Sequence, residues 1–81
     1  MNRPAKAIDH LYVRLGYQLR RLRWAHEMTM PEVSRATGIP CSQIRRWEKA
    51  QQRIHLYHLK RLAQQYGVTM TQVMQALEVS P

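Results

Sequence analysis

The 81 residues carry 13 Lys and Arg against 5 Asp and Glu, a net charge of +8, with 44% hydrophobic content. That is enough for one small domain with a modest core, spanning residues 1–81, and it makes a polyanion, nucleic acid first, the expected partner. No apolar run is long enough to span a bilayer, no apolar block follows the basic start MNRPAKAIDH as a secretory signal requires, and the single cysteine, Cys41, leaves no internal disulfide, so a cytoplasmic protein is expected.

Residues 1–4 read as a disordered tail. From Ala5 the residues Ile8, Leu11, Tyr12, Leu15, Leu19 and Leu22 recur at helical spacing, which predicts one long amphipathic helix reaching about Glu27. Its other face carries Arg14, Arg20, Arg21 and Arg23. Gly16 costs about 1 kcal/mol relative to Ala in a helix, which leaves room for a kink or an early break there. Thr29 with Glu32 three residues later is a capping-box pattern that opens a second helix, with Val33 and Ala36 as its inward face. Gly38 stands where a helix stop needs positive φ, and Ile39-Pro40 turns the chain into a third helix from about Cys41.

Residues on that third helix turn by about 100° each, so Ile44, Trp47 and Glu48 fall on one side and Ser42, Arg45, Arg46 and Lys49 on the other. One side is core, the other a row of cations. A polar connection, Gln51 to Arg53, leads to a fourth helix marked by Leu56, Leu59, Leu62, Ala63 and Tyr66 and stopped by Gly67. Thr69 and Gln72 form a second capping-box pattern, and Met70, Val73, Met74 and Leu77 give a fifth helix its apolar stripe. No strand-like alternation or repeat appears, so the fold class is all-α with about five helices.

Several chemistries find no support. The five carboxylates, Asp9, Glu27, Glu32, Glu48 and Glu78, are scattered, and no nucleophile, base and orienting group come together, so no enzyme is expected. His55 and His58 have i, i+3 spacing, but no recognised spacing supplies a third ligand from His26 or Cys41, and neither metal nor cofactor is expected. Trp47 shares the phase of Ile44 and reads as core, not as a base-stacking platform.

From about Leu15 to Met74 the chain resembles, without a gap, the lambda-repressor-like (Xre/Cro) helix-turn-helix domains of transcription regulators. The residues that carry the resemblance are LGYQLRRLR in the first helix, Thr29 and Glu32 opening the second, GIPCSQIRRWEK through the third, and LKRLAQQYGVTMTQVM in the fourth and fifth. Residues 29–49 are then the helix-turn-helix itself, and residues 5–15 an extension of the first helix. The resemblance implies that the third helix enters the DNA major groove. It places Cys41, Ser42 and Arg46 at base edges, with Gln43 and Arg45 at neighbouring base or phosphate positions. Thr29, Met30, Arg35, Lys49, Gln51, Gln52 and Arg53 fall where such domains meet phosphate, and Arg23 and Glu48 match a structural ion pair between the first and third helices. Three positions depart from the pattern: Met30 stands where a phosphate-binding glutamine is common, Pro40 replaces a Ser or Thr cap, and Ile54 replaces a frequent proline.

The expected function is a sequence-specific transcriptional regulator of bacterial or phage type, nucleoid-associated, a repressor that binds a near-palindromic operator as a homodimer. Dimer contacts are expected either from Met70, Val73, Met74 and Leu77 or from the N-terminal extension around Ile8 and Tyr12. The alternatives are a protein-interaction module, with a toxin or a polymerase subunit as partner, and a general RNA or nucleoid-type binder acting through charge alone.

Overall fold

The computed structural model describes residues 5–79, with side chains from His10 to Glu78. The expected N-terminal tail lies outside these residues, as does the side chain of Ile8. Among the described residues there are five helices and no strand: α1 (Ala5–Ala25), α2 (Met30–Thr37), α3 (Cys41–Glu48), α4 (Leu56–Gln65) and α5 (Met70–Val79). Helix α1 packs against α3 and α5, α2 against α3 and α4, and α4 against α5. The core takes Leu15 and Leu19 from α1, Val33 from α2, Ile44 and Trp47 from α3, and Leu59 and Leu62 from α4. Ile39, Ile54 and Tyr66 seal it from the connections. Each such buried apolar side chain contributes about 1.5–3 kcal/mol by leaving water.

The extension at residues 5–15 is continuous with α1, and no break occurs at Gly16. A Cβ at Gly16 would stand 2.6 Å from the carbonyl oxygens of both Trp47 and Glu48. The glycine is there to let α1 approach the end of α3, and the surrounding helix absorbs its cost.

Two inward assignments, one on α2 and one on α4, also change. Ala36 is exposed, and Thr37, one full turn after Val33, is buried instead. Its hydroxyl donates to the Val33 carbonyl at 2.8 Å and accepts the Ile39 N–H at 3.2 Å. Leu56 is 72% exposed, because it opens α4 at the edge of the stripe formed by Leu59, Leu62 and Ala63. The inward face of a short helix is narrow, so one residue of phase decides burial.

Three helices end in the same device. At the end of α1 the Met28 N–H bonds to the Arg23 carbonyl and the Glu27 N–H to Trp24; Gln51 and Ala50 bond in the same way to Arg46 and Trp47 after α3, and Val68 and Gly67 to Ala63 and Gln64 after α4. This is the Schellman pattern, which places one residue in left-handed backbone. Those residues are Glu27 (φ 53), Ala50 (φ 56) and Gly67 (φ 69). Helix α1 consequently stops at Ala25, two residues before the expected limit.

Candidate nucleic-acid interface

The recognition geometry starts from the cap of α2. Thr29 has extended backbone (φ −82°, ψ 163°), its hydroxyl accepts the Glu32 N–H at 3.2 Å, and its own N–H donates to the Glu32 carboxylate at 2.7 Å. That backbone hydrogen bond holds the Glu32 carboxyl below the ordinary carboxylate range. Thr69 and Gln72 make the equivalent pair of bonds before α5, at 3.0 and 2.8 Å. Helix α3 is entered differently: Pro40 offers no side-chain cap, and its carbonyl accepts from Gln43 and Ile44.

Beneath α3 lies an ion pair. Arg23 Nε and Nη2 donate to the two oxygens of the Glu48 carboxylate at 2.8 and 2.9 Å, and Arg23 Nη1 donates to the Met28 carbonyl at 3.1 Å. Glu48 is only 4% exposed. The hydrogen bonds it donates to Glu48 raise the Arg23 guanidinium above the ordinary arginine range, against the opposing effect of burial. One guanidinium thereby ties α1, α3 and the turn before α2 together. Arg20 Nε lies 3.9 Å from the same carboxylate, at the rim.

With Ile44, Trp47 and Glu48 buried, α3 turns Ser42, Arg45, Arg46 and Lys49 to solvent. Cys41 and Gln43 are half-buried, and Gln43 Oε1 is enclosed without a hydrogen-bond partner among the described residues. Thr29, Arg35, Gln51, Gln52 and Arg53 are exposed; the Arg53 guanidinium lies 5.8 Å from the centre of the Tyr12 ring. Met30 is half-buried against the core, so what it can offer a phosphate is its backbone N–H.

Two surface grooves flank this arrangement. One, of about 660 Å3, runs between the end of α1 and the starts of α2 and α3 and is lined by Trp24, Glu27, Thr29, Cys41 and Arg45 among others. Trp24 is 57% exposed. Sequence reasoning passed over it, although its spacing from Val13, Tyr17 and Arg20 puts it on the outer face of α1. The other groove, of about 210 Å3, is apolar and is bordered by Leu11 and Tyr12 of α1, Leu56 of α4, and Met70 and Met74 of α5. Val73 and Leu77, expected as dimer contacts, are 2% and 6% exposed: α5 spends them on the core of its own chain. Of that stripe Met70, Met74 and Leu77 line the groove in company with Tyr12, Leu77 from its floor, and Val73 does not.

Among the described residues no three His, Cys, Asp or Glu side chains gather closely enough to hold a metal ion, and no helix is long and apolar enough to cross a membrane. Comparison with curated proteins and with solved structures gives no significant match. A family model described as a helix-turn-helix domain matches residues 14–77, nearly the whole described chain and every element of the interface. The chain belongs to this helix-turn-helix domain family.

Proposed function

We propose that the protein is a sequence-specific double-stranded DNA-binding regulator of transcription, a repressor that binds a near-palindromic operator as a homodimer. The observation that carries this reading is the division of α3: three residues anchor it, while Ser42, Arg45, Arg46 and Lys49 stand free on one face. A helix presented in this way fits the major groove, and the net charge of +8 supplies the phosphate attraction that holds it there. Arg46 is the reading residue, because its planar fork matches guanine O6 and N7, a pairing that contributes about 1–3 kcal/mol of discrimination. Thr29, the start of α2, Lys49 and the 51–53 connection grip the backbone without reading it.

One eight-residue recognition helix offers too little surface for tight specific binding, which argues for two copies on half-sites about 34–36 Å apart. Because α1 packs on α5, the two expected dimer surfaces border one groove. The dimer face is therefore Leu11, Tyr12, Leu56, Met70 and Met74 together. We further infer that the chain has no catalytic activity of its own.

The test compares Arg46→Ala with Arg53→Ala in salt titrations on a selected duplex and a random one. Arg46→Ala is expected to lose about 1–3 kcal/mol on the selected site and to relax preference at one base pair. Arg53→Ala is expected to weaken both duplexes alike and to lower the slope of log K against log salt by about 1. Equal loss on both duplexes from Arg46→Ala, with base preference intact, makes Arg46 a phosphate contact and removes the reading residue. An unaltered chain that treats selected and random duplexes alike has no sequence-specific function.

A further inference from the structure

The outer face of α1 leaves Val13, Tyr17 and Trp24 more than half exposed, and two arginines stand over its rings: Arg20 over Trp24 at 5.8 Å and Arg21 over Tyr17 at 5.9 Å. The two pairs differ in their surroundings. Trp24 lines the groove shared with Thr29, Cys41 and Arg45, beside the start of α2 and the first two turns of α3. Arg20 is held from two directions, by the Trp24 ring and by the Glu48 carboxylate 3.9 Å away, whose charge is already matched by Arg23. Tyr17 and Val13 do not line that groove.

We propose that Trp24, with Arg20 against its ring, belongs to the DNA interface: the indole packs on a deoxyribose and its Nε1–H meets a phosphate of the strand gripped by the start of α2. The proposal deepens the DNA-binding reading and rests on it. An indole supplies one N–H donor and a rigid apolar plate, which suits a sugar-phosphate edge, and a guanidinium stacked on the ring adds a cation with little freedom to lose. Such a contact carries no base information and works on any duplex. The groove also holds the Glu27 carboxylate, which opposes a phosphate there.

The experiment uses the full chain and a random-sequence duplex of about 30 bp at low salt, where phosphate contacts dominate. Trp47 is 4% exposed and Trp24 57%, so acrylamide quenching of tryptophan emission reports Trp24, and Trp24→Phe checks the assignment. Saturating duplex is expected to lower the quenching constant severalfold. Trp24→Ala should weaken binding about tenfold without lowering the melting temperature. Arg20→Gln should lower the salt slope by about 1, Arg20→Lys should keep it, and Glu27→Gln should tighten binding. Tyr17→Ala and Arg21→Gln should leave affinity within about twofold. Unchanged quenching on a duplex that the chain binds overturns the proposal and leaves the DNA-binding reading standing. Losses of duplex binding from Tyr17→Ala and Arg21→Gln as large as those from Trp24→Ala overturn it too, because the effect then belongs to the whole outer face and not to the groove beside α2 and α3. If the unaltered chain binds no duplex, both the reading and the proposal fall.

Discussion

Arg23 uses both ends of its guanidinium, two nitrogens on Glu48 and the third on the Met28 carbonyl, and Glu48 has almost no contact with solvent. Removing one partner of such a pair leaves a buried charge unmatched, so Glu48→Ala should lower stability by about 3–5 kcal/mol, with DNA binding lost at the temperature where the fold is lost. Denaturant titration followed by circular dichroism reads the first effect, and an unchanged midpoint would refute it. Gly16 gives a second case. Alanine there gains about 1 kcal/mol of helix propensity but drives its Cβ into two backbone oxygens that cannot move aside. Gly16→Ala should therefore destabilise by about 1–3 kcal/mol, the range for overpacking. Tyr66 is the third. Burial, reinforced by the nearby Glu48 charge, pushes its phenol up to about 12. A raised folded value means that the stability linked to this group is complete below about pH 10 and is lost as pH climbs from about 10 to about 12. Its hydroxyl has no hydrogen-bond partner among the described residues, so Tyr66→Phe should be neutral or mildly stabilising at pH 7 and should remove that part of the alkaline decline.

At the scale of the element, the helix ends divide by chemistry. Gly67 closes α4 with the residue that left-handed backbone favours, whereas Glu27 and Ala50 close α1 and α3 against the usual preference. An L-residue with a Cβ loses roughly 1–2 kcal/mol in that region, partly offset by glycine's greater entropy in the unfolded chain. Glu27→Gly and Ala50→Gly should each raise stability by about 0.5–1 kcal/mol, while Gly67→Ala should lower it by a similar amount. Thermal unfolding of the three variants checks the set, and the opposite signs are the diagnostic feature. Ala50→Gly has a further use, since it alters the turn into the 51–53 connection without touching α3's exposed face. Base preference should be unchanged in it.

At the scale of the whole molecule, apolar surface and charge act in opposite directions. Leu56 and Met74, 72% and 46% exposed, border the apolar groove proposed as the dimer face. Leu56→Asp and Met74→Asp should dissociate the dimer in sedimentation experiments while leaving the monomer folded, because neither side chain is part of the core. Each copy carries +8, so salt that screens their repulsion should tighten self-association. The same salt should weaken DNA binding, because releasing counterions into a saltier solution gains less entropy. Opposite salt slopes for dimerisation and for DNA binding are therefore expected. A monomer both free and on its best duplex would remove the dimer.

What the sequence determined by itself is what depends on neighbours along the chain. The capping boxes at Thr29–Glu32 and Thr69–Gln72, the stop at Gly38, and the split of α3 into Ile44, Trp47 and Glu48 against Ser42, Arg45, Arg46 and Lys49 follow from residue types at spacings of three and four, and the structure contains each. Local chemistry also explains the misses. The left-handed stops at Glu27 and Ala50 lack the glycine that announces such a turn, so α1 was expected to run on. Other features belong to contacts between distant residues. Gly16 is intelligible only once the carbonyls of Trp47 and Glu48 lie over it, and Val73 and Leu77 enter the core of their own chain because α1 and α4 close on α5. Trp24 carried no signal beyond its place on an outward face; it became a candidate contact because folding set it beside Cys41, Arg45 and Thr29. Helical periodicity states which side of a helix faces inward, but which inward residue meets which, and what remains uncovered, is decided only by the packing of one helix on another.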